Sequence, residues 1–265
     1  ITARTSNTFT FKTGSVTGSY SSGGTAYCTN TGCEYKAFTN LDGGTSVQRI
    51  STCVTERTGT QAYTDASPAT APVGRNYPMN ETSNACLSSE IMPLSSNKTT
   101  LKARISGLTA VGSTAGHIGT AWGWYTLSPN FNSLWTGSAA NPYNSSETIK
   151  AVVLMTDGDF NTPYNNGVIA ADALTGSGAN SNKINANATN GASASQATQL
   201  CTAMKARGIT VYTVAFSVSP NSAAATLLNG CASNADKAYA ASSGAELVSA
   251  FQAIGRDITQ LRISR

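Results

Sequence analysis

The sequence predicts an α/β fold: a three-layer, open parallel sheet with helices on both faces. Three observations predict it. Ala151-Val-Val-Leu-Met155 and Ile209-Thr-Val-Tyr-Thr-Val-Ala-Phe216 are short apolar runs of the length of strands buried in a parallel sheet. Helical patterns stand between and after them, as βαβ crossovers require. The first run stops abruptly in Thr156-Asp157-Gly158-Asp159, which puts a carboxylate at the carboxyl end of a strand, where open α/β sheets bind ligands.

Composition divides the chain near residue 88. Residues 1–88 are rich in turn residues, with strand-like alternation at Thr8–Lys12 and weaker alternation at Ser46–Val54, and are expected to be a loop-rich insertion stapled by disulfides. Residues 89–265 are expected to be the α/β domain. In it, Ile91-Met-Pro-Leu94 suits a short edge strand that tolerates Pro93. Leu101, Ile105 and Leu108 have helical spacing, and Ile118, Trp122 and Tyr125 repeat it after a Gly-rich turn at Ala110–Gly119. Residues 165–192, rich in Gly, Ala, Asn and Ser, suit a long surface loop. Ser195–Arg207 is helical, with Ala197, Leu200, Cys201 and Met204 on one face and Gly208 as the stop. Ser219-Pro220 predicts the start of the next helix, which carries Leu227, Leu228 and Cys231. Lys237–Ala240 is a brief strand. Ser243-x-x-Glu246 is a capping box for a last helix with Leu247, Phe251, Ile254, Ile258 and Leu261 in register.

Only 11% of the 265 residues are charged, and the net charge is +4. Cytosolic enzymes usually carry more Lys and Glu, so the composition points to an extracytoplasmic protein: periplasmic, secreted or on the cell surface. The basic residues form no stripe, so nucleic acid is not an expected partner. No apolar run approaches the roughly 18 residues of a membrane span. The six cysteines are Cys28, Cys33, Cys53, Cys86, Cys201 and Cys231. An even count in such a chain favours disulfides. Fifteen pairings are open, and proximity along the chain suggests Cys28–Cys33, Cys53–Cys86 and Cys201–Cys231. A zinc site has little support, with no Cys-x-x-Cys and a single histidine, His117.

A triad hydrolase would need His117 beside a serine and an acid, and no Gly-x-Ser-x-Gly is present, so an enzyme is not expected. Trp122 and Tyr125 suit a core. Trp124 and Trp135 are candidates for an exposed partner surface. The sequons at Asn80, Asn97, Asn144 and Asn187 carry no weight in a chain this rich in Ser, Thr and Asn.

From about Cys53 onward the chain resembles the von Willebrand factor A domain of bacterial Tad (Flp) pilus-assembly proteins, the TadG-like group. The residues that carry this are Cys53-Val-Thr-Glu-Arg-Thr58, Ile91-Met-Pro-Leu94, Gly112–Tyr125, Leu127-Ser-Pro129 and Val153–Asn161, with Tyr212-Thr-Val214 and the final helix. The resemblance implies a metal-ion-dependent adhesion site above the sheet. By position Thr114 and Asp157 would be metal ligands, and Ser113 and Asp159 would stand behind them. Mg²⁺ or Ca²⁺ suits such oxygen donors. It also implies a non-enzymatic adhesion or assembly function, with a protein partner or neighbouring copies bound in a pilus or surface assembly. The same family carries Asp-x-Ser-x-Ser after its first strand, and that motif is absent from these residues. The expectation is therefore an A domain whose first strand comes from elsewhere: an upstream segment, which could also hold a membrane anchor, or another copy. The alternative is a structural subunit with a vestigial metal site.

Overall fold

A computed structural model describes every residue except 1, 13, 16, 20, 24, 31, 40–44, 51, 58, 75–86, 111–113, 161–189, 191 and 264–265. Two small antiparallel ribbons lie in the N-terminal third: β1 (Ala3–Arg4) with β2 (Phe9–Thr10), and β3 (Tyr35–Thr39) with β4 (Thr45–Arg49). The α/β part contains α1 (Lys98–Ser106), α2 (Gly116–Leu127), β5 (Ala151–Thr156), α3 (Ser193–Ala206), β6 (Thr210–Phe216), α4 (Ala223–Cys231), β7 (Ala238–Ala241) and α5 (Gly244–Ile263). A 3-10 turn over Pro129–Leu134 follows α2.

β5, β6 and β7 form a parallel sheet in that order, as the apolar runs predict. Alternation along β6 creates two cores. Val211 faces α2, α3 and α4 in the larger one, with Trp124, Tyr125, Leu200, Met204 and Leu227. Tyr212 and Val214 face the other way, against Ile254, Leu247 and Ile258 of α5. Helices therefore cover both faces, but unequally. α5 lies over β6 and β7. On β5, Val152 and Leu154 pack into the larger core, while Val153 and Met155 are 36% and 48% exposed. They pair in register with Tyr212 and Val214 and so share the α5 face. The apolar run was expected to be buried on both faces; it is buried on one, because no described helix covers β5 on the other.

Helix ends follow local chemistry. α3 stops at Gly208, whose φ of +75° is the left-handed conformation that glycine adopts without strain. α4 starts three residues later than Ser219-Pro220 predicts, because the Ser222 hydroxyl accepts from the Ala225 N–H at 3.1 Å and provides the cap. In α5 the Ser243 hydroxyl accepts from the Glu246 N–H, while the Glu246 carboxylate reaches back to the Ser242 N–H at 2.7 Å. That bond holds the Glu246 carboxyl below the usual carboxylate range. α1 forms behind an Asn97 cap but buries none of its residues, and Ile105 is 68% exposed. Residues 91–94 form no strand.

The boundary expected at residue 88 is not where the packing divides. Residues 55–57 and 59–73 lie against α2 and α3 as a strap, with Tyr63 and Val73 packed on the larger core and Ala62 and Ala71 buried. Glu56, Arg57 and Asp65 are 5%, 3% and 0% exposed. Charged side chains are buried only when paired, so composition places this segment among loops while its pairing places it in the core.

Cys201 joins Cys231 across α3 and α4, with the Cα atoms 5.1 Å apart and both residues fully buried. Cys28 joins Cys33. Cys53 is disulfide-bonded; Cys86, its expected partner, lies outside the described residues. The Cys201–Cys231 bond closes 30 residues of chain. Replacing both cysteines by alanine should lower unfolding stability by about 3–4 kcal/mol, measured as a loss of urea midpoint without loss of helix signal at zero urea.

Candidate functional site

The strand-end rim is built by the turn after β5. The Thr156 hydroxyl donates to the Gly158 carbonyl at 2.9 Å and accepts from the Gly158 N–H at 3.2 Å, which leaves Asp157 exposed at the tip. Asp159 turns to α4, where its carboxylate accepts the Ala224 N–H at 3.0 Å. A carboxylate at a helix N-terminus satisfies an orphan donor and complements the helix dipole. The next residue, Phe160, is buried and lies on the first turn of α2: a Cβ on Gly116 would meet the Phe160 ring at 2.2–2.4 Å. This close approach ties the Asp157 turn to the start of α2, just after Thr114.

Thr114 is half-buried ahead of α2, and Ser113 lies outside the described residues. A Thr hydroxyl and the Asp157 carboxylate offer at most three of the roughly six oxygens of a divalent-ion shell. Asp159 is engaged by α4. Among the described residues no group of three His, Cys, Asp or Glu side chains is placed to hold a metal. The described residues do not by themselves complete an oxygen shell for Mg²⁺ or Ca²⁺.

A second cluster joins residues that sequence reasoning left apart. His117, on the first turn of α2, is 1% exposed. Its Nε2 meets the Glu56 carboxylate and its Nδ1 lies 2.7 Å from the Ser193 Oγ at the start of α3. Three segments are thus clasped by one imidazole. The trio has the composition of an acyl-transfer triad. Ser193, however, is itself only 1% exposed, so in this conformation no substrate carbonyl reaches its oxygen. The arrangement works as a clasp.

The other end of the strap is fastened by Asp65. Its Oδ2 accepts from the Ser128 and Tyr143 hydroxyls at 2.5 Å each and from Asn130 Nδ2 at 3.1 Å; Oδ1 faces the Arg207 guanidinium at 3.4 Å. Burial, together with the Asp65 bond, pushes the Tyr143 hydroxyl up to about 12. Between the two ends, Arg57 donates to the carbonyls of Thr64, Ala66 and Ala71 at 3.1, 2.6 and 2.5 Å. Its guanidinium carbon sits 5.1 Å from the Tyr125 ring centre and 5.0 Å from that of Phe131. Burial lowers the Arg57 pKa and pushes the Tyr125 hydroxyl up to about 12.

The aromatic residues sort differently from their sequence expectation. Trp124, expected as an exposed partner surface, is 1% exposed, with its indole N–H on the Tyr143 hydroxyl at 2.9 Å. Trp122 is half-buried and packs edge-on against Tyr125 and Trp135. Trp135 is also half-buried, its indole N–H directed at the Tyr125 carbonyl. Long-range partners supply the reason: Arg57 of the strap lies over the Tyr125 ring and Tyr143 receives the Trp124 indole N–H, while Trp122 packs at the edge of the same aromatic group.

Compared with known protein families, curated proteins and solved structures, the chain matches none of them.

Gly116→Ala should destabilise the fold by about 1–3 kcal/mol, since the added methyl forces the Phe160 ring away. Combining it with Phe160→Leu should cost less than the sum of the single changes in a double-mutant cycle read by urea unfolding. Additive costs would mean that the turn after β5 and the start of α2 are not in contact.

Proposed function

We propose that this chain is a non-enzymatic, extracytoplasmic adhesion or assembly protein related to Tad (Flp) pilus biogenesis. It binds a protein partner or a neighbouring subunit through a von Willebrand A-like domain. The observation that carries this reading is β5. Its sequence, Ala-Val-Val-Leu-Met-Thr, contains no Lys, Pro or charge, the features by which edge strands discourage pairing. Its far edge has no strand partner among the described residues. Val153 and Met155 stand exposed on the face whose counterparts in β6 are fully buried. Val248 and Phe251 of α5 are also exposed, at 57% and 44%. A strand added along β5 would satisfy its backbone and extend the sheet, and apolar side chains of the same partner would cover Val153 and Met155.

Further support comes from the resemblance over residues 112–129 and 153–161, and from disulfides, which persist in oxidising compartments. Among the described residues, no helix is long and apolar enough to cross a membrane. The sealed Ser193 favours the non-enzymatic reading. The incomplete oxygen set favours assembly through the sheet edge over a metal bridge, with Thr114 and Asp157 as the remnant of a metal site.

A photo-crosslinking residue placed at Met155 in the producing cell should yield a discrete adduct, with a second copy or with another protein. The same residue at the exposed Thr198 of α3 should yield none. Val153→Lys should abolish the Met155 adduct while thermal stability is retained, and chelator should leave it unchanged. Absence of an adduct at Met155, or its persistence in Val153→Lys, would sink the edge-assembly reading.

A further inference from the structure

We infer that the occupant of the β5 edge is a second copy of this chain, paired antiparallel through its own β5 about a two-fold axis at Leu154. The inference rests on the edge-assembly reading above and names its partner.

The backbone sets what the edge accepts. The Thr210 N–H donates to the Lys150 carbonyl at 3.0 Å, and β6 runs parallel to β5 with Thr210 opposite Ala151. In a strand the N–H and C=O of one residue point to the same side, and successive residues alternate. Residues 150, 152, 154 and 156 therefore address β6. Ala151, Val153 and Met155 address the far edge, where no described strand receives them. The same alternation sets the Val153 and Met155 side chains on the α5 face, where both are exposed.

A two-fold axis normal to the sheet makes the two edges antiparallel and keeps the α5 face of each copy on one side. Directly opposed residues share a face, so each position must meet one of the same parity. Two registers keep most of the strand paired. One centres on Val153 and sets Met155 against Ala151, a small residue already packed against the α5 core. The other centres on Leu154 and sets Val153 against Met155 on both sides of the axis. Only this register covers the two exposed side chains with each other. It also lets their outward N–H and C=O groups pair reciprocally. On the other face Leu154 meets Leu154 of the second copy, and in each copy this residue is only half-buried.

Charge favours the same arrangement. β5 itself is uncharged and is bracketed by Lys150 and Asp157. Antiparallel self-pairing brings the basic end of one strand to the acidic end of the other, twice, whereas parallel pairing sets like beside like. The Lys150 ammonium stays on the Leu127 carbonyl at 2.6 Å, so the attraction acts through the field and forms no ion pair. One six-residue strand is a small contact beside the ~1,600 Å² of a standard stable interface, so the pairing is reversible and crosslinking reads it better than chromatography.

The test uses two differently tagged copies in the producing cell, one of them carrying the photo-crosslinking residue at Met155, with the adduct mapped by peptide mass spectrometry. The expected product joins the two tags, with its main site at Val153 of the second copy. A main site at Ala151, or outside β5, would overturn the pairing. Adducts formed only with other proteins would overturn it too, while leaving the edge-assembly reading in place. Absence of any adduct would remove both.

Discussion

The buried guanidinium of Arg57 is the constraint around which the larger core is arranged. A cation at 3% exposure is tolerable only when most of its donors are matched. Here three carbonyls of its own strap take two of its nitrogens and two aromatic faces take the plane, while Nε is left without a hydrogen-bond partner. Such a cation over desolvated rings contributes on the order of 2 kcal/mol. The larger effect is geometric. Tyr125 and Phe131 stack in parallel at 4.2 Å to offer that surface. The chain must therefore turn sharply after α2, which Ser128 and the 3-10 turn accomplish. Ser128 then caps that turn through Asn130 and also donates to Asp65. Remove the cation, and the path of the strap and the turn after α2 lose their common reason.

The sheet has the opposite character. Its α5 side is held by apolar packing, with polar contacts at its margin. There Tyr212 donates to Asp257 and Lys237 pairs with the same carboxylate, both at 2.5 Å. The Lys237 bond, followed by that of Tyr212, lowers the Asp257 pKa. Because α5 follows β7, it covers the β6–β7 half of this face and, among the described residues, nothing covers β5 there. The asymmetry is a consequence of chain order, and it places the uncovered apolar residues next to the turn that carries Asp157.

Sequence patterns were sufficient where one segment could be judged alone. The face Ala197, Leu200, Cys201 and Met204 of α3 is buried throughout, and β6 runs where its apolar stretch lies. They failed where burial depends on a distant segment. In α2, Trp122, Trp124 and Tyr125 lie so close together that spacing alone cannot choose the inner face; Arg57 of the strap and the distant Tyr143 choose it. Glu56 and Ser193 stand 61 and 76 residues from His117, and no local pattern links them. One signal was available. In a chain with so few charges, Glu56-Arg57 is an adjacent acid–base pair in an otherwise uncharged stretch. Charge retained in such a setting points to specific buried partners. The metal reading shows the converse: a short motif gives Asp159 a place near a site, but only the packing reveals that α4 uses its carboxylate.

The strap and the rim are connected through one turn of helix. His117 is held by Glu56 from the strap, and Gly116, its neighbour, is held against Phe160 from the turn after β5. The start of α2 is therefore fixed from two sides, by a polar contact and by an apolar one. The polar contact ties the helix to the strap, while the apolar contact responds to where the helix sits. Movement of the α2 start would reach the Asp157 turn through the Phe160 ring, and Asp159 would carry it to the N-terminus of α4. Close packing makes such shifts discrete, because a ring seated at a glycine has no intermediate position that avoids both clash and void. The exposed rim and the buried clasp are thus parts of one mechanical unit, although their chemistry is unrelated.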